Sequence, residues 1–249
     1  MKNNFFVDRN ITKKMKIIII VPHGYCIPDK IEKRHCDRRA LEEAKKLQLI
    51  ALKKGYDVKL FYSKELREDV DYNRIESFSY PLRMQIRQYL EETKGENVVI
   101  FEMHSFPKET ESFGKSQVTF LSIPNPRYRR MAKDLSDRLK NTGLIIYNLR
   151  GSQKNNLQLE TSQSFNVKHF LIEMNEDKEK LTIQESDKFL NSLIDEAAFL
   201  YRDSPNLFLG IIVILIIVLV LWILYQGYKL VRFIVYDFKI WKNTREITV

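Results

Sequence analysis

The chain has 249 residues and a net charge of +9, from 41 Lys and Arg against 32 Asp and Glu. Its 44% hydrophobic content, with only 8 Gly and 7 Pro, excludes a disordered or collagen-like chain. The basic charge is spread out, with no concentrated block, no zinc-finger spacing and no aromatic RNA-binding motif. It therefore predicts solubility and attraction to anionic surfaces rather than a nucleic-acid partner.

In chain order, residues 1–14 are polar and read as a flexible segment. Lys16–Val21, KIIIIV, is a β-branched run of the kind found in a strand buried on both faces. Arg38–Lys54 has helical periodicity and stops at Gly55. Asp57–Tyr62 reads as a strand, Tyr80–Thr93 as a helix and Asn97–Glu102 as a second buried strand. Gln117–Ile123 is a strand, Tyr128–Asn141 a helix, Gly143–Tyr147 a strand and Lys168–Met174 another. Ile183–Tyr201 is a final amphipathic helix. Strands alternating with helices predict an α/β fold: a three-layer, mostly parallel mixed sheet with helices on both faces, of the phosphorylase/hydrolase type. The domain is expected over 15–203.

Leu207–Tyr225 carries no charge, and about 20 apolar residues suffice to cross a bilayer core. A single C-terminal transmembrane helix is therefore expected, with a lipid bilayer as partner and Trp222, Tyr225 and Tyr228 at its edge. The tail, 226–249, mixes basic and aromatic residues. It reads either as a segment lying on the lipid surface or as a short polar tail. Its basic character argues for a cytoplasmic tail. The apolar run at Lys16 is too short for a secretory signal, and an anchor followed by little chain suggests late insertion. The soluble domain is therefore expected in the cytosol. The two cysteines, Cys26 and Cys36, do not suggest a disulfide scaffold.

In open α/β sheets ligands bind beyond the carboxyl ends of the strands, and polar residues stand in those places here. His23 follows the first strand, and His104 and Ser105 follow VVIFEM. Two of only four histidines in equivalent positions point to a divalent metal, zinc foremost. A catalytic zinc takes about three protein ligands and keeps one position open. His23 and His104 supply nitrogen. Asp37 is the first choice for the third ligand and Cys26 the rival, with Glu102 either supporting a ligand from outside or an outside candidate for the third place. Glu173, in an otherwise apolar strand, suits a general base. Arg74, with Asn73 beside it, suits a substrate carboxylate, because a guanidinium can grip one through two parallel hydrogen bonds.

Taken in order, VPHGYCIP (Val21–Pro28), HCDRRA (His35–Ala40), DYNR (Asp71–Arg74), EMHSFP (Glu102–Pro107) and LIEMN (Leu171–Asn175) resemble the motifs of the N-formylglutamate amidohydrolase family, relatives of the zinc carboxypeptidases. The resemblance implies a zinc held by His23, His104 and Asp37, a substrate carboxylate held by Arg74 and Asn73, and a water activated by Glu173. It also implies a substrate loop at Arg150. Glu102 and Phe106 stand where the family has Asp and Met, and Cys26 replaces the glutamate of the carboxypeptidase-type pair. The expected substrate is a small-molecule or peptide-like amide bearing a carboxylate. The competing expectation is a membrane-tethered binding or scaffolding protein that has kept the fold and lost turnover.

Overall fold

The computed structural model describes residues 15–27, 36–107, 113–123, 125–151, 156–202 and 206–246, with backbone alone for 156, 201–202, 206–213 and 237–246. The expected flexible segment 1–14, along with Pro28 and His35, lies outside the described residues. The chain divides into two units at 201/202.

The first unit is built on six strands: β1 (Lys16–Val21), β2 (Asp57–Tyr62), β3 (Val98–Phe106), β4 (Val118–Ser122), β5 (Ile146–Arg150) and β6 (Lys168–Asn175). Five helices connect or follow them: α1 (Ala40–Lys53), α2 (Pro81–Glu92), α3 (Pro126–Leu139), α4 (Asn156–Ser164) and α5 (Ile183–Arg202). The strand order is β2-β1-β3-β6-β4-β5. The first four of these run parallel, β4 runs antiparallel to β6, and β5 runs parallel to β4. The sheet is therefore mixed, with two reversed strands at one side.

Alternation along each strand sorts the core into two layers. Ile17, Ile19, Val21, Phe101, Met103 and Ile172 pack with Leu47 of α1, Leu135 of α3 and Leu193 of α5. Ile18, Ile20 and Ile100 pack on the other face with Leu82 and Ile86 of α2 and Leu157 of α4. Helices thus cover both faces, as the buried strands require.

Local chemistry sets several boundaries. Helix α1 closes where the backbone N–H of Gly55, at φ 80°, reaches Leu52 O at 2.9 Å; the left-handed turn suits glycine. Helix α3 starts at Pro126, with the Asn125 side chain accepting from Arg127 N, a polar cap followed by proline at the first position.

Three elements of this unit depart from the sequence reading. Strand β3 runs on to Phe106, so His104 and Ser105 lie inside it rather than after it. Strand β5 starts at Ile146, because Lys140–Thr142 forms a 3-10 turn ended by Gly143 at φ 83°. Helix α4 has no apolar stripe to announce it. It is held by buried polar bonds instead: Gln158 accepts from Ile123 N and donates to His169 O, and Thr161 meets His169 Nδ1 at 2.6 Å.

The second unit is one helix, α6 (Asn206–Glu246), of 41 residues, about 60 Å long. The tail expected after Tyr225 continues it without a break. Its segment Ile214–Tyr236 has 23 residues, a mean hydropathy of 2.1 and no burial, so by length and composition it could span a membrane.

Candidate metal centre

The site forms at the carboxyl ends of β1, β3 and β6. His23 stands in the turn leaving β1. Gly24 next to it keeps that turn tight, since a Cβ there would come within 2.9 Å of Val21 Cγ1. His104 and Glu102 lie two residues apart on β3 and share a sheet face. Asp37 sits on the strap leading into α1. Its backbone N–H bonds His23 O at 3.0 Å. Beyond it, Arg39 N bonds Ser105 Oγ at 3.2 Å and Arg38 N bonds Glu176 Oε1 at 2.9 Å.

His23, Asp37 and His104 are all buried, and one ligand atom from each lies within 4.8 Å of the others. Asp37 Oδ2 is 2.7 Å from His104 Nδ1 and 3.4 Å from His23 Nδ1. The two rings meet edge to face, with centroids 5.1 Å apart. The outer nitrogens are turned the other way, each toward its own carboxylate. His23 Nε2 meets Asp71 Oδ1 at 2.9 Å, and His104 Nε2 meets Glu102 Oε1 at 2.8 Å. A carboxylate accepts, so His104 Nδ1 donates to Asp37 Oδ2 through a proton that a cation would replace, and each Nε2 donates outward to its own carboxylate. This is the outer support that metal-binding histidines commonly have. Glu102 is itself braced by His169, whose Nε2 lies 2.8 Å from Glu102 Oε2.

The donor set fits a divalent cation. His23 Nδ1 is buried and makes no hydrogen bond among the described residues. Two lone pairs and a carboxylate converging in the interior repel one another unless a cation or a proton lies between them. The titration behaviour reflects this. Burial alone would lower the pKa of His104, but the Asp37 carboxylate beside it and the bond to Glu102 hold it well above the ordinary histidine value. Burial would raise Asp37, and the neighbouring His104 and His23 drive it well below the ordinary range instead. Zinc is a natural occupant of two nitrogens and one oxygen.

Glu173 is the register partner of His104 on β6, so its side chain rises from the same face about 5 Å away along the hydrogen-bonding direction. Desolvation pushes its carboxyl up to about 7; His104 pulls it down and Asp37 pushes it further up. Asn73 and Arg74 also reach the site. Asn73 Nδ2 lies 3.3 Å from His104 Nε2, and Arg74 Nε donates to Asp71 Oδ2 at 3.1 Å. Buried Arg83 holds this loop from below, donating to Tyr72 O and Arg74 O and pairing with Glu160 of α4.

Three expectations need correction. Cys26 is bonded to Cys36 in a disulfide, so it cannot be the third ligand, and the cysteines do form a bridge. Glu102 takes the supporting place expected as one of its two roles, bonding His104 from outside the ligand triad. Arg150 does not join the site. Tyr147 is the residue of β5 level with Thr119 and Glu173, and Arg150 lies three residues further, roughly 10 Å toward the opposite end of the sheet. There it lines a groove of about 500 Å³ with Arg129, Arg130, Lys133 and Lys140. Sequence reasoning also missed Arg67, whose Nη1 lies 3.9 Å from Asp37 Oδ1, and gave no role to Asp71. For Asp71 the signal was present, in its place at the head of DYNR. Arg67 stands in a loop without pattern.

No family model and no curated protein matches the chain. Among solved structures, the gene product Atu2144 from Agrobacterium tumefaciens matches with a TM-score of 0.56 at 16% identity, over 75% of this chain and 92% of that one. This likeness is one of fold. A metallo-carboxypeptidase from Burkholderia cenocepacia matches with a TM-score of 0.48 at 12% identity, over 77% of this chain and 58% of that one. A succinylglutamate desuccinylase from Vibrio parahaemolyticus matches with a TM-score of 0.45 at 13% identity, over 76% and 59%. The resemblance to N-formylglutamate amidohydrolases rests on the motifs alone.

Proposed function

We propose that the chain is a membrane-anchored, zinc-dependent amidohydrolase. Its substrate would be an N-acyl amino acid, or a γ-glutamyl or peptide-like amide bearing a carboxylate. The observation that carries this reading is the buried convergence of His23 Nδ1, Asp37 Oδ2 and His104 Nδ1 beside Glu173. A bound divalent cation would supply Lewis acidity, polarising a carbonyl and acidifying a water. The chain's own residues do the rest. His23, Asp37 and His104 would hold the ion, oriented by Asp71 and Glu102. Glu173 takes a proton from the attacking water and delivers it to the departing amide nitrogen as the C–N bond breaks. Arg74, fixed at Nε by Asp71, offers the outer edge of its guanidinium to the substrate carboxylate, and Asn73 orients the same group.

In this reading α6 is the anchor and the domain faces an oxidising compartment. Two observations support that side over the expected cytosol: the Cys26–Cys36 bridge, and the excess of Lys and Arg at 239–245 after the apolar segment, the pattern of a cytoplasmic tail. The test uses purified full-length protein in detergent, assayed on N-acyl amino acids and γ-glutamyl amides. Turnover that a chelator stops, zinc restores and Glu173→Gln abolishes with metal retained supports the reading. Bound zinc without hydrolysis of any of these amides refutes it.

A further inference from the structure

The disulfide stands in a telling place. Cys26 is three residues after His23, and Cys36 immediately precedes Asp37. The bridge therefore joins the two segments that carry two of the three proposed ligands, with Cα atoms 5.3 Å apart. We propose that Cys26 and Cys36 are positioning residues of the metal centre: their bridge clasps the Asp37 strap against the His23 turn, so that opening it weakens metal binding while leaving the domain folded. This inference rests on the metal-centre reading above.

The need for a clasp follows from the electrostatics and anchorage of the cluster. An entering cation displaces the Asp37 Oδ2–His104 Nδ1 hydrogen bond of 2.7 Å, so while the ion enters the strap has to be held by something other than that bond. His104 cannot yield, being inside β3 and braced by Glu102 and His169. His23 is held by the tight turn at Gly24 and by Asp71. Asp37 has the weakest mounting. It precedes α1, whose first residues have no side-chain cap; its backbone is tied on the α1 side by Arg39, which bonds Asn175 O and Leu181 O, and by backbone hydrogen bonds to His23 O, Ser105 and Glu176. A covalent link one residue before Asp37 restrains the strap on the side away from Arg39.

The bridge also lies apart from the two packed cores. Neither Cys26 nor Cys36 belongs to either hydrophobic cluster, and the sheet, α1 and α5 are held together independently by apolar packing and by the buried Arg39–Glu43–Ser186 bonds. Reduction by a dithiol transfers two electrons and two protons. The S–S bond breaks, two cysteine thiols form, and the dithiol closes to its own disulfide. The predicted consequence is local.

The experiment compares three forms of the full-length protein in detergent: oxidised wild type, wild type reduced with a dithiol, alkylated and desalted, and Cys26→Ser/Cys36→Ser. Each is titrated with zinc against a chromophoric chelator, and far-UV circular dichroism is followed on heating. The expected result is a zinc Kd roughly 10- to 100-fold weaker in both opened forms, the range found when supports of a metal site are removed, with wild-type secondary structure retained. Equal affinity in oxidised and opened forms overturns the clasp and leaves the metal centre standing. Unfolding of both opened forms overturns it too, by assigning the bridge to the fold. Failure of the oxidised wild type to bind zinc overturns the clasp and the metal centre together.

Discussion

At the carboxyl ends of β1, β3 and β6, ionisable groups are buried, mutually bonded and aimed at one point. Along the β5 edge of the sheet, beside α3, Arg129, Arg130, Lys133, Lys140 and Arg150 line an open groove in which the carboxylate of Asp137 is bonded by Lys133 and Lys140. Both regions are rich in charge, but in the groove Lys133 and Lys140 only lower Asp137 to about 2, leaving it ionised as usual, whereas in the cluster Glu173 is raised to about 7 and His104 well above its ordinary value. Desolvation and close partners make the difference, because exposed ion pairs contribute little and are screened by salt. Charge density alone would have chosen the groove. Burial and convergence choose the cluster.

The sharpest way to break this contrast is to remove a ligand. His104→Ala or Asp37→Ala should abolish stoichiometric zinc binding in equilibrium dialysis, and all metal-dependent hydrolysis with it. Next in size, Glu173→Gln should lower kcat by roughly 10²- to 10⁴-fold, the usual contribution of a general base, with zinc content unchanged by elemental analysis. Smaller again, Asp71→Asn and Glu102→Gln should each weaken zinc binding by roughly 10- to 100-fold in a chelator competition. Last, Arg150→Ala should leave kcat/KM within about twofold and stability within roughly 0.5 kcal/mol in urea titration, as expected for a surface substitution. A tenfold loss of kcat/KM there would return Arg150 to the site and erase the contrast.

Proton linkage sharpens the same comparison. Glu173 has its folded pKa raised from 4.5 to about 7 by desolvation. Between those values the folded chain binds a proton that the unfolded chain has lost, so the metal-free protein loses stability as pH rises through this window. Glu173→Gln should remove that loss and make the metal-free protein more stable than wild type at pH 8, by at most about 3 kcal/mol. Equal denaturant midpoints for the two proteins at pH 8 would contradict a desolvated Glu173. His104 works in the opposite sense. Its raised pKa lets a proton compete for the ligand position, so zinc affinity should fall as the solution is acidified.

Much of the fold was legible because the strands announce themselves. KIIIIV and VVIFEM are buried runs with nothing polar to confuse the period, and Gly55 marked the end of α1. Helix α4 was invisible because Gln158 and Thr161 bury hydrogen bonds rather than methyl groups. The site was legible where chemistry sits at strand ends: His23, His104, Asp37, Glu173, Asn73 and Arg74 are brought together. Arg150 misled because its strand is reversed; the carboxyl end of β5 points away from the carboxyl end of β6, a fact of topology that no local pattern encodes. The Cys26–Cys36 bridge escaped notice because two cysteines ten residues apart carry no signature of their own.

The central claim is that two imidazoles and one carboxylate of this chain enclose a single cation. X-ray absorption at the zinc edge on zinc-loaded full-length protein tests it most directly. The account predicts one zinc per chain with a first shell of nitrogen and oxygen near ~2.0–2.1 Å, imidazole scattering from two histidines, and no sulfur. A sulfur shell near ~2.3 Å, or zinc that washes away with no ordered shell, would contradict it.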